Sequence, residues 1–247
     1  MIDTHAHIVK EYYDNIEELI IELKEKNVER VINCSTSIED AKEIIELSNK
    51  TNGYLLPAIG IHPEIIKDFD KIEQLENLVK ENKIIAIGEI GLDYYWNKDN
   101  KELQKEIFVK QLDLANKYNL PVLVHTRDSI QDTYNILKNK NLKGIIHCYS
   151  GSYEMAKEFI KIGYKLGIGG VLTFKNSKLH EVIEKIDIKD IVLETDSPYL
   201  TPVPNRGKRN DPSNIYYVAK KIAEIKNISI EEVLKITSET ARSIFDI

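Results

Sequence analysis

Short apolar runs alternate with longer amphipathic ones through the whole of this chain, and that beat constrains the fold more than any other feature of the sequence. An opening strand at Met1-Ile2 is followed by Asn15 to Lys26, where Ile16, Leu19, Ile20 and Leu23 fall at helical spacing among Glu and Lys. Val28 to Ser35 then reads as a short strand, and Thr36 or Ser37 can cap a helix over Ile38 to Lys50. Further strands are predicted over Gly53 to Ile61, Ile84 to Ile87, Pro121 to His125, Gly144 to His147, Lys165 to Ile168 and Ile191 to Asp196. Helices over Ile72 to Asn82, Lys101 to Tyr118, Ser129 to Lys140, Tyr153 to Ile162 and Ser177 to Ile186 separate them, and two more fill Ser213 to Ile225 and Ser229 to Ile244.

The count is eight strand-helix units plus an extra C-terminal helix, with no linker rich in Pro, Gly or Ser between units. Such alternation implies parallel strands, and eight of them close into a (β/α)8 TIM barrel, whose usual length of about 250 residues suits this chain. We therefore expect an α/β fold in which residues 1–247 form a single barrel domain. An open doubly wound sheet is the structural alternative. Its Gly-x-Gly-x-x-Gly turn after the first strand is missing, and Gly167-Ile168-Gly169-Gly170 comes too late and opens no clear helix.

Composition excludes some functions. A formal net charge of -6 argues against a broad basic surface gripping duplex nucleic acid, although it leaves room for a local basic patch. No apolar run approaches the roughly 20 residues that span a bilayer, so no membrane association is expected. Cys34 and Cys148 are the chain's 2 cysteines, too few for a framework of bridges, and the first residues carry neither a basic region nor an apolar signal core. These points predict a cytoplasmic protein. No partner surface stands out, and a monomer is the expectation.

The unusual residues gather at strand ends. Of 6 histidines, His5 and His7 follow the first predicted strand, His62 the third, His125 the fifth and His147 the sixth; only His180 lies within a helix. Glu89 ends the fourth strand and Asp196 the eighth. In an eight-stranded barrel these ends form one rim, where loops build the active site, so residues remote in sequence converge. Each residue alone has a bland reading: a strand-end His is commonly a satisfied polar group, and an Asp before Ser-Pro a turn former. Chance does not place five histidines on one rim.

Four histidines with two carboxylates exceed the needs of one tetrahedral ion with an open position, which takes three protein ligands plus water. The surplus predicts two divalent ions sharing a carboxylate, a pair able to activate water for hydrolysis at phosphorus or carbon. Imidazole and carboxylate donors without a thiolate suit Mg, Mn or Zn alike. Cys148 is adjacent to His147 in the predicted strand, should face the other way, and stays outside the expected site.

Asp3-Thr4-His5-Ala6-His7, Gly88-Glu89-Ile90-Gly91-Leu92-Asp93, His125-Thr126-Arg127, His147-Cys148-Tyr149-Ser150-Gly151 and Glu194-Thr195-Asp196-Ser197-Pro198-Tyr199-Leu200 together resemble the signature blocks of the TatD family of metal-dependent deoxyribonucleases, end to end and in order. Tyr149 stands where Phe is common. The resemblance implies an amidohydrolase-like barrel, a divalent-metal site and phosphodiester hydrolysis of DNA, preferentially at single-stranded ends. By the same resemblance His5, His7 and Asp196 would hold one ion and His125 and His147 the other, with Glu89 shared. Related binuclear amidohydrolases often carry a carboxylated lysine where this chain has Glu89, which favours the nuclease branch.

The expected mechanism is attack of a metal-bound hydroxide on a terminal phosphodiester, with Asp196 both ligand and proton acceptor and Glu89 bridging the ions. Asn205-Arg206-Gly207-Lys208-Arg209-Asn210, after the eighth strand, places three cations where Arg206 could hold phosphate, although charge runs are commonly solvated loops. His62 reads as a phosphate donor or a structural residue beside Pro63. Arg127 reads as a phosphate ligand or a rim salt bridge. Tyr94, Tyr95 and Trp96 could stack on unpaired bases or pack on their own barrel. The competing enzyme class is hydrolysis of a carboxylic ester or amide, for example an aminoacyl ester on tRNA. A non-catalytic binding protein is disfavoured because every expected ligand is present.

Overall fold

The computed structural model describes residues 1–96 and 98–247. Parallel strands β1 (Ile2–Ala6), β2 (Arg30–Cys34), β3 (Leu55–Ile59), β4 (Ala86–Asp93), β5 (Val122–Arg127), β6 (Gly144–Ile146), β7 (Tyr164–Ile168) and β8 (Ile191–Leu193) pair in sequence order in one 8-stranded sheet. Helices α1 (Ile16–Glu25), α2 (Ile38–Lys50), α3 (Ile72–Glu81), α4 (Lys101–Lys117), α5 (Ile130–Leu137), α6 (Tyr153–Lys161), α7 (Leu179–Lys185) and α8 (Ile215–Lys226) alternate with the strands, and α9 (Ile230–Phe245) follows. This is the (β/α)8 barrel with an extra C-terminal helix that the alternation predicts. Among the described residues no helix is long and apolar enough to cross a membrane.

Local chemistry sets several helix starts. Asn15, Ser37, Ser152 and Ser229 each accept a backbone N–H of the first turn, from Glu18, Asp40, Met155 and Glu232. These caps satisfy donors that the helix leaves unpaired.

Side chains alternate between two layers. Ile2, Ile32, Cys34, Ala58, Ala86, Leu123, Ile145 and Val192 face inward and share one buried cluster with Ala241, Ile244 and Phe245 of α9. The extra helix thus plugs the interior from the strands' N-terminal side, leaving the C-terminal rim for chemistry. Val31, Ile87, Val122, Val124, Ile146 and Leu193 face outward under the helices.

Two irregularities serve that rim. Register shifts occur in β1 between Asp3 and Ala6 and in β4 between Ile87 and Ile90. In β1 the inward Ile2 and the outward Ala6 are four residues apart, which strict alternation forbids; the shift turns His5 and His7, flanking Ala6, to the inside. In β4 the outward residues are Ile87, Ile90 and Leu92, so Glu89 and Asp93 face inward.

The barrel closes between β8 and β1 through a few specific bonds rather than a long ladder. His7 N donates to Ser197 O at 2.7 Å and Asp196 N to His5 O at 2.9 Å. The buried Asp3 carboxylate accepts Thr195 N at 3.0 Å and His5 N at 3.1 Å. The seam therefore sets the positions of His5, His7 and Asp196 relative to one another.

Several strand ends differ from expectation, three of them where site residues stand. β4 continues past Ile87 to Asp93, whereas β6 stops at Ile146 and β8 at Leu193. Cys148 (φ 45°) and Asp196 (φ 55°) adopt the left-handed region, which ends extended pairing.

Candidate metal centre

Glu89 stands at the middle of the rim, buried at 3% exposure. Its Oε2 lies 3.3 Å from His5 Nε2 and 3.5 Å from His7 Nε2. Its Oε1 lies 3.0 Å from His125 Nδ1, 3.6 Å from His147 Nε2 and 3.8 Å from His62 Nε2. One carboxylate thus has one oxygen toward each of two groups of imidazoles. Asp196 Oδ1 completes the first group, 3.4 Å from His7 Nε2 and 3.9 Å from His5 Nε2, and is also 3.6 Å from His147 Nε2. Gly91, at φ 146°, lets β4 pass β5 here, since a Cβ would collide with the His125 carbonyl.

The electrostatics describe carboxylates that draw positive charge to the cluster. Burial pushes Glu89 up, yet the facing His5, His62 and His147 bring its carboxyl well below the usual range. Asp196 is lowered against burial by His147 and His7. For His147, burial acts downward, but Glu194, Glu89 and Asp196 raise it to about 10. His125 is raised to about 9, the hydrogen bonds with Asp93 and Glu89 outweighing burial. His5 is lowered by burial and by His147, and His62 falls to about 3 through burial.

The donor set fits divalent metal. His7 Nδ1 lies 2.9 Å from the Cys34 carbonyl oxygen, which places a proton on Nδ1 and turns Nε2 toward Glu89 and Asp196, whose side chains raise the ring's pKa against burial. Carboxylates converging on that nitrogen require positive charge among them, and an imidazole anchored by its other nitrogen to a carbonyl is a usual metal-ligand arrangement. His5 Nδ1 is buried without a hydrogen-bond partner among the described residues. Three triplets around Glu89 and Asp196 each have donor atoms within 4.8 Å of one another: His5-His7-Asp196, His5-Glu89-His147 and His62-Glu89-His125.

Every ligand-type residue expected from sequence reaches this cluster. His62 joins it as well, in a triplet with Glu89 and His125. Its Nδ1 accepts Glu64 N at 3.2 Å, so the ring proton sits on Nε2, facing Glu89. The two arginines are on aromatic faces instead. Arg127 lies 3.8 Å from the Tyr95 ring centroid and forms no salt bridge among the described residues, and Arg206 lies 3.9 Å from that of Phe174. Of the other loop cations, Arg209 donates to the Tyr12 carbonyl at 2.6 Å. His180 stays in α7, as expected, with Nε2 3.2 Å from Leu172 O.

Two further carboxylates, Asp93 and Glu194, reach the site's imidazoles. Asp93 Oδ2 is 2.9 Å from His125 Nε2, so both His125 nitrogens meet carboxylates. Glu194, fully buried, places Oε1 3.1 Å from His147 Nδ1 and accepts Cys148 N at 2.7 Å. The signal was period two: Asp93 shares a strand face with Glu89, and Glu194 precedes Asp196 by two. Cys148 corrects an expectation. Its positive φ breaks the alternation, and Sγ comes within 4.8 Å of His147 and Glu194 donor atoms instead of facing away.

A parallel eight-stranded barrel with imidazoles and carboxylates converging on its C-terminal rim defines a metal-dependent hydrolase. The model of the family described as TatD related DNase matches residues 2–246. The uncharacterized metal-dependent hydrolase YabD of Bacillus subtilis is 42% identical over 257 residues, covering 100% of this chain and 99% of the relative. Deoxyribonuclease TATDN3 of Homo sapiens is 30% identical over 263 residues, covering 99% and 94%. The crystal structure of YJJV, a TatD homolog from Escherichia coli K12, superposes with a TM-score of 0.93 at 28% identity, covering 100% and 98%. The chain belongs to the TatD family of metal-dependent hydrolases.

Proposed function

We propose that this protein is a deoxyribonuclease that uses two divalent ions to cleave phosphodiester bonds at single-stranded DNA ends, acting as one barrel over residues 1–247, as a monomer, in the cytoplasm. The observation that carries the reading is the division of Glu89, with Oε2 toward His5 and His7 and Oε1 toward His125, His147 and His62. His5, His7 and Asp196 would hold one ion and His125 and His147 the other, with Glu89 between them. Ligation by His125 requires one nitrogen to leave its carboxylate, Glu89 or Asp93.

When bound, the ions supply an acidified water and positive charge on the phosphate oxygens, and imidazole with carboxylate donors accommodates Mg, Mn or Zn. The chain's own residues do the rest. Asp196 Oδ1 is poised between His7 and His147 and takes the proton of the attacking water. His62, neutral through burial and carrying its proton on Nε2, donates to a phosphate oxygen. Arg206 and Arg127, exposed and held by aromatic rings, bind the flanking phosphates with fixed guanidinium planes.

Incubating metal-loaded protein with single-stranded DNA, a phosphodiester reporter and a panel of carboxylic esters, aminoacyl-tRNA included, tests the reading. We expect release of nucleotides from DNA ends. Turnover of the carbonyl substrates alone would show the nuclease assignment to be wrong.

A further inference from the structure

The turn after β4 presents its aromatics in two ways. Tyr94 is buried, and its hydroxyl donates to Asp132 at 2.9 Å, whereas Tyr95 is 50% and Trp96 64% exposed. The Tyr95 and Trp96 rings meet edge to face, with centroids 4.8 Å apart. Arg127, at the end of β5, lays its guanidinium 3.8 Å from the first ring centroid and 5.5 Å from the second. One side chain ties this group to the metal centre: Asp93 Oδ1 accepts Tyr95 N at 2.9 Å and Trp96 N at 3.2 Å, while Oδ2 lies 2.9 Å from His125 Nε2.

We propose that Trp96, with Tyr95 and Arg127, forms a subsite for an unpaired nucleobase of the strand undergoing cleavage. This rests on the nuclease reading above and names how that site selects its substrate. Arg127 covers one face of Tyr95 and holds the turn, leaving the indole of Trp96 to water. An exposed indole anchored beside a phosphodiester site offers a π-face on which any base can stack. Bases inside a duplex are stacked on both sides and cannot use it, so the subsite favours single strands. Arg127, exposed at the end of β5 and laid on the Tyr95 ring, offers its guanidinium to the adjoining phosphate.

Trp96 is the chain's 1 tryptophan, so its fluorescence reports the subsite directly. The metal-loaded protein is titrated with a phosphorothioate-linked single-stranded oligodeoxynucleotide, with an abasic strand of the same backbone, and with the duplex, alongside a hydrolysis assay on ordinary single-stranded DNA. We expect a saturable change in emission with the base-bearing strand and about tenfold weaker binding of the abasic strand and the duplex. Trp96→Ala should raise KM for the strand about tenfold, and Trp96→Phe should recover most of that loss. Equal affinity for the abasic strand, or an emission unmoved by the base-bearing strand, overturns the subsite. Those results with DNA hydrolysis intact remove the subsite alone; an emission response without hydrolysis removes the nuclease reading alone.

Discussion

Asp196 carries the sharpest prediction at the scale of a single residue. Its backbone is left-handed at φ 55°, a conformation that Asn accepts as readily as Asp, so Asp196→Asn keeps the turn and the side-chain shape. What it loses is the charge and the proton acceptor. We expect hydrolysis to fall by about 10²- to 10⁴-fold, measured after contaminating nucleases are removed, with circular dichroism unchanged. A near-normal rate would refute the role of Asp196. Histidines were informative in the sequence because there are only 6 and five fell at strand ends. Carboxylates were less so. With 40 Asp and Glu in the chain, the two-residue offset of Glu194 from Asp196 and the shared face of Asp93 and Glu89 gained meaning only when the fold set Asp93 2.9 Å from His125 and Glu194 3.1 Å from His147.

At the scale of the element, Asp68 shows how connections are held. Its buried carboxylate accepts the N–H of Ile38, at the start of α2, at 2.9 Å and pairs with Lys71. Burial pushes the carboxyl up, but Lys71 and the Ile38 N–H outweigh this and hold it below the usual carboxylate range. A carboxyl lowered in the folded state stabilises above its unfolded value of about 4, and that stabilisation fades as pH falls through the folded value. Asp68→Ala should therefore cost about 2 kcal/mol at pH 7 in denaturant unfolding. The gap to the parent should narrow below about pH 4; a gap that widens there contradicts the charge argument. Elements were legible from periodicity, and α2 spans Ile38–Lys50 as predicted. The register shifts in β1 and β4 were not, because an irregularity in pairing depends on the neighbouring strand.

For the whole molecule, the rim couples metal to stability. Carboxylates and imidazoles from β1, β4, β5 and the ends of β6 and β8 converge there, so an ion bound to them binds the folded state alone. Stripping metal with a chelator should lower Tm by about 5–10 °C if the ion is present at about a hundred times its dissociation constant. Re-addition of Mn or Zn should restore both Tm and hydrolysis. A Tm indifferent to chelation would separate this rim from metal binding.

The sequence by itself determined the barrel, since eight apolar runs alternating with amphipathic ones leave parallel strands few other ways to bury both faces. It also determined which residue types stand at the strand ends, because period two and period 3.6 are local properties of the backbone. Only the tertiary structure decided how those ends meet. The closing of β8 on β1 through Asp196 N to His5 O, and the aim of the two Glu89 oxygens at separate groups of histidines, join residues far apart in the chain. No periodicity encodes a distance between strands, so that geometry exists only once the barrel is closed.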